Sequence, residues 1–117
     1  MSELLGIARF RFHPGQVEVY KRLCAQAMDI VRAKESGTLE YSIYFNGDES
    51  EAVAIERFAS SEALIEHGRN MSDISPRVLA TGTVEGELLG EPNEELAALL
   101  TGPEPELFTP WMKLNPR

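Results

Sequence analysis

The stretch TLEYSIYFNGDESEAVAIERFA, Thr38 to Ala59, decides the fold. Leu39, Tyr41, Ile43 and Phe45 alternate with Glu40, Ser42 and Tyr44, the period-two pattern of a strand with one buried face. Asn46-Gly47-Asp48 is turn chemistry, since these residues tolerate the tight backbone that a reversal needs. Strand character resumes from Glu51 to Ala59. Two such runs joined by a short turn form an antiparallel hairpin.

Working outward, the hairpin lies between two helical patterns. From Gln16 to about Glu35 the apolar positions are Val17, Tyr20, Leu23, Cys24, Ala27, Ile30 and Val31, whose steps of three and four make one stripe. Ser36-Gly37 ends this helix, with Gly37 free to take positive φ. Before it, LGIARFRF (Leu5 to Phe12) sets Ala8, Phe10 and Phe12 on one face and Arg9 and Arg11 on the other, until His13-Pro14-Gly15 stops the strand. After the hairpin, Ser60 or Ser61 can cap a second helix running to about Arg69, weakened at its end by Gly68. Asn70-Met71-Ser72 then leads into a looser piece around Pro76. Thr83 to Gly90 reads as a fourth strand with Val84 and Leu88 inward and Glu85 and Glu87 outward.

The order is therefore βαββαβ. Such a chain folds as a ferredoxin-like α+β domain, an antiparallel sheet with both helices on one face. The other face is bare, and a second copy related by a two-fold axis is its expected cover. The segment after Gly90 differs. Pro92 to about Leu100 reads as a short acidic helix, and Thr101-Gly102-Pro103-Glu104-Pro105 breaks it. ELFTPWMKL is then too apolar for a free tail. An edge strand is its expected form, with Pro110 where no ladder donor is needed, and entry of Trp111 into a cleft is the less favoured alternative. The division expected is a domain over 1–91 and, over 92–117, an extension packed on the domain or on a dimer mate.

Composition narrows the function. The 117 residues argue for one domain, and 43% hydrophobic with 26% charged residues is ordinary for a globular chain. Net charge is −8, with no Lys or Arg between Arg77 and Lys113. An acidic chain without a basic stripe repels phosphate backbones, so no nucleic-acid partner is expected. No apolar run approaches a membrane span, and no signal peptide is read at the start, so no membrane partner is expected. The one cysteine, Cys24, fits a cytoplasmic setting. Two histidines and one cysteine leave too few ligands for a metal centre.

Four segments carry a resemblance: FRFHPG (10–15), SGTLEYSIY (36–44), AIERF (54–58) and SSEALIEH (60–67). In this order and spacing the chain, over about residues 5 to 90, resembles the antibiotic biosynthesis monooxygenase family. The matching positions are Gly37, Leu39, Tyr41, Glu56, Phe58, Glu62, Ala63, Leu64 and His67. The resemblance implies a homodimeric α+β barrel with an apolar cleft between sheet and helices. It also implies a cofactor-independent monooxygenase that oxidises an aromatic or quinol-type small molecule with O2, the substrate itself supplying the electrons. Many members end the third strand with Trp where this chain has Phe58. Haem-degrading relatives carry Asn where this chain has Ala8, before Arg9, and the two departures together speak against haem degradation.

Three strands and the second helix thus carry the candidate site residues. His67, on the second helix beside Leu64, is a candidate base near neutral pH, against capping a carbonyl or facing water. Glu56 shares the face of Phe58 and is a candidate acid or base, against pairing with Arg57 or Arg69. Phe10, Phe12, Tyr41, Phe58 and Leu64 are the expected substrate-binding residues, while Tyr44, on the opposite strand face, is expected to meet the partner. Arg9 and Arg11 read as ion-pairing residues and Cys24 as an inert helix-face residue. The alternative function is a non-catalytic dimeric protein that binds a small ligand in the same fold.

Overall fold

The computed structural model describes residues 2–114; Met1 and positions 115–117 of the expected extension lie outside the described residues. The elements run β1 (Leu4–Phe12), α1 (Val17–Lys34), β2 (Thr38–Phe45), β3 (Glu51–Phe58), α2 (Ser61–Asn70), α3 (Ser75–Leu79), β4 (Gly82–Leu89), α4 (Glu94–Leu99) and β5 (Glu106–Phe108). The strands form one sheet in the order β2-β3-β1-β4-β5, antiparallel except for the parallel pair β4–β5. The ferredoxin-like βαββαβ core is as the alternation and helical stripes require.

Local chemistry explains the boundaries. The Ser60 hydroxyl accepts the Ala63 N–H at 3.1 Å and starts α2. In the β2–β3 turn, the Asn46 side chain accepts the Glu51 N–H and Asp48 that of Ser50, both at 3.0 Å. The left-handed residue there is Glu49, at φ 59°, and its carboxylate meets Lys21 of α1 at 3.0 Å.

Three local expectations are corrected. Gly37 is not at positive φ. It is required because a Cβ there would lie 2.5 Å from the Ala63 Cβ, so its bareness lets α2 approach the start of β2. Leu39 does not share the face of Tyr41, Ile43 and Phe45. A bulge between Thr38 and Glu40 turns it out, half exposed. The piece around Pro76 is the short helix α3, with the proline in its first turn, where a missing N–H costs nothing.

Rows of residues crossing the sheet on its helix-covered face shape the interior. One row is Phe45–Ala52–Phe10–Val84, the next Ile43–Ala54–Ala8–Gly86, and the third Tyr41–Glu56–Gly6–Leu88. The first row is closed off by aromatic packing, since Phe10, Phe12 and Phe45 all stack on Tyr20 of α1. At the other end Leu4, Phe58, Ala63, Leu88 and Leu96 form a buried cluster. Between them Ala54, Ala8, Gly86 and Gly6 have almost no side chain, so the helices cannot fill the space above them. A cavity of about 850 Å³ results, within the range of small-molecule sites.

The tail joins the sheet. Glu106–Phe108 pairs with Glu87–Leu89, and Pro110 lies beyond the ladder. Trp111 and Leu114 are 89% and 96% exposed, and Trp111 does not line the cavity. No helix is long and apolar enough to cross a membrane among the described residues.

Candidate active site

The cavity holds a hydrogen-bonded cluster of titratable groups. His67 projects inward from α2 and is buried. Its Nδ1 lies 2.9 Å from the Glu35 Oε1, and its Nε2 lies 3.1 Å from the Glu56 Oε1. The imidazole neither caps a carbonyl nor faces water. Glu56 takes His67 as its partner and leaves Arg57 to Glu3 and Glu40. The ring is held on its flanks by Tyr41, edge-on at 5.9 Å, and Phe58, tilted at 5.2 Å.

Glu35 sits behind the ring. It receives hydrogen bonds from the Thr38 hydroxyl at 2.6 Å and the Asn70 amide at 3.0 Å in addition to His67. Burial alone would raise its pKa, but these three donors outweigh it and hold the carboxyl below the usual value. Burial likewise opposes charge on His67, yet Glu56 first and Glu35 second outweigh it, and the His67 pKa is raised. A neutral imidazole has one N–H and cannot satisfy two ionised carboxylates, so the cluster favours an imidazolium bridging Glu35 and Glu56.

The arrangement sorts the three groups. The Glu35 side chain is 1% exposed, that of His67 10% and that of Glu56 25%. Both ring nitrogens are taken, so His67 presents no open nitrogen to a ligand. The atom that faces the cavity and can accept or return a proton is a carboxylate oxygen of Glu56. Gly6 lies directly across β1 from Glu56. A Cβ added at Gly6 would make ordinary contact with Glu56 at 3.7 Å and no clash, and both residues line the cavity.

Of the residues singled out from sequence, His67, Glu56, Phe10, Tyr41, Phe58 and Leu64 line the cavity. Phe12 does not, because its ring is spent on Tyr20 and Phe45. Cys24 does line it, its thiol pushed up in pKa by burial. Arg9 and Arg11 lie on the opposite sheet face, near Glu51 and Glu85 at 3.7–4.0 Å. Among the described residues no cluster of His, Cys, Asp and Glu has the arrangement of a metal site.

Glu35, Thr38 and Asn70 were not legible as site residues. One signal was present: Glu35 is the C-cap of α1, where the helix dipole disfavours negative charge. An acid at that position needs a partner elsewhere, and His67 is that partner.

The fold and cavity define a ferredoxin-like α+β protein with a carboxylate–imidazole–carboxylate cluster inside an apolar chamber. Residues 5–71 match the antibiotic biosynthesis monooxygenase family, and the chain belongs to it. No curated protein sequence matches. Among solved structures, the chain is similar to MupZ from Pseudomonas fluorescens, with TM-score 0.79 and 22% identity over 97% of this chain and 94% of that one. It is similar to SnoaB, a cofactor-independent oxygenase from Streptomyces nogalater, with TM-score 0.65 and 19% identity over 74% and 89% of the two chains. Rv0793 from Mycobacterium tuberculosis has TM-score 0.68 and 27% identity over 79% and 97%. At 97% of this chain, the likeness to MupZ takes in the α4–β5 extension.

Proposed function

We propose that the protein is a cofactor-independent monooxygenase of a phenol- or quinol-type small molecule, with Glu56 as the catalytic base. The observation that carries this is the Glu56 carboxylate, braced by His67, beside open space in an apolar cavity. Family membership and the likeness to SnoaB support the oxygenase part of the reading. Glu56 takes the proton of the substrate hydroxyl. The resulting phenolate gives one electron to O2, and the aryloxyl radical and superoxide combine into a C–O bond. Glu56 returns its proton to the peroxide anion so formed, and loss of water from that hydroperoxide leaves a quinone, so that phenol and O2 become quinone and water. His67 and Glu35 are positioning residues: they fix the carboxylate and balance the charge it gains and loses. Tyr41 and Phe58 flank the reacting ring, and Phe10 and Leu64 complete its pocket.

The assembly proposed is a homodimer through the bare sheet face, which carries Ile7, Val53, Ile55 and the exposed Tyr44. The single thiol is consistent with a cytoplasmic setting. Light scattering at micromolar concentration tests the dimer, and Ile55→Lys should yield the monomer.

The test of function is O2 uptake with a panel of phenols and quinols, with quinone detected by mass spectrometry. Wild type should consume O2 in proportion to quinone formed, and Glu56→Gln should not. A panel bound by the protein but consumed by neither form would leave the non-catalytic binding role instead.

A further inference from the structure

The cavity changes character across its width. On its β3 side, around Glu56, the walls are the rings of Tyr41, Phe58 and His67. Past Gly6 and Ala8, on its β4 side, they are Val84, Leu88, Leu96, Leu99, Leu100 and Pro105. The floor between the two is Ala8 and Gly86, neighbours across the β1–β4 ladder. From β3 to β4 is two strand spacings, about 10 Å, more than one ring spans.

One wall of this second compartment is built by residues 95–105 of the extension. α4 supplies Leu96 and Leu99, and its C-cap is Leu100. The chain then returns so that Pro105 stands over Gly86: a Cβ on that glycine would lie 3.4 Å from the Pro105 Cβ. The Glu104 carboxylate accepts the Gly86 N–H and fixes the return. Glu95 and Glu104 are charged residues lining this compartment, while Glu87 projects to the opposite sheet face with Ile7, and Arg69 of α2 is the one Lys or Arg lining the whole cavity among the described residues.

We infer that this compartment is a binding site for an uncharged aliphatic arm, so that the ligand is an amphiphile with a ring at Glu56 and an alkyl chain running across Ala8 and Gly86 to α4. The inference rests on the proposed function for the ring alone. The arm is argued from the lining, and the extension is thereby a specificity element. A carboxylate at the end of the arm would meet Glu95 and Glu104 and is disfavoured.

Calorimetric titration of two probe series, 4-n-alkylphenols and n-alkanols from one to eight carbons, tests it. In wild type each added methylene should tighten binding roughly threefold to fourfold in both series. Ala8→Leu, which fills the floor, should weaken the octyl members at least tenfold and the methyl member less than threefold. Leu99 is 62% exposed, so Leu99→Asp tests the same compartment without risk to folding and should flatten both series. Affinity independent of chain length in wild type, or increments unchanged in both variants, would overturn the inference. Increments in both series with no preference for the phenol head would leave the arm site standing and remove the ring assignment instead.

Discussion

Glu35 and His67 are 32 residues apart in the chain and 2.9 Å apart in the fold. The bond ties the end of α1 to the last turn of α2, across the mouth of the β2–β3 hairpin. Removing one member of a buried ion pair leaves the other unpaired, at a cost of about 3–5 kcal/mol. His67→Ala should therefore lower unfolding free energy by about 3 kcal/mol in urea titration, with Glu35→Ala close behind. The double variant should lose less than the sum, because neither charge is then stranded.

The same pair gives stability a pH window. The His67 pKa is raised above its ordinary 6.5, so its contribution is complete below that value and is lost as pH rises through the folded pKa. The Glu35 pKa is lowered below its ordinary 4.5, so its contribution is complete above that value and is lost as pH falls through the folded pKa. The stability difference between wild type and Glu35→Gln/His67→Gln should be largest between pH 4.5 and 6.5 and shrink on either side. A difference flat from about pH 3 to 9 would refute the ion pair.

Glu56→Gln keeps the shape of the side chain and removes the proposed base. Turnover at pH 7 should fall roughly 10²-fold or more, with ligand affinity within a fewfold of wild type. A phenol ionises unaided near pH 10, so the variant should recover part of its rate as the assay is made alkaline. Stopped-flow measurement from about pH 6 to 10 separates this from a folding defect, which would not recover.

Gly37→Ala puts a methyl where only 2.5 Å separates it from the Ala63 Cβ. α2 must move, and His67 moves with it. Overpacking of this kind costs about 1–3 kcal/mol. Thermal melts should show that loss, and the variant's turnover should fall further than the small population of unfolded protein explains.

The sheet and its two long helices were open to reading because each rests on a local period. The alternation of Tyr41, Ile43 and Phe45 and the stripe from Tyr20 to Val31 need no distant partner to be seen. His67 and Glu56 were visible as polar residues on apolar faces. Their relation was not, because it depends on Glu35, and no periodicity joins a helix end to a helix 32 residues on. The cleft was implied by the family resemblance, but what opens it was hidden for a different reason. Gly6, Ala8, Ala54 and Gly86 come from three strands, and only the register aligns them. Leu39 and Phe12 show the limit of alternation itself: one bulge reverses a side chain, and one aromatic stack takes a ring out of the pocket.

Trp111 is the chain's single tryptophan and stands almost fully in solvent. Excitation that spares tyrosine therefore reports on the far end of the chain and on little else. Its emission would change scarcely at all while the core unfolds, so a melt followed by that signal alone would miss the transition that circular dichroism records. The same isolation makes it a clean sensor. A blue shift on raising protein concentration, or on adding an alkylated ligand, would register the covering of this segment against a background free of other indoles.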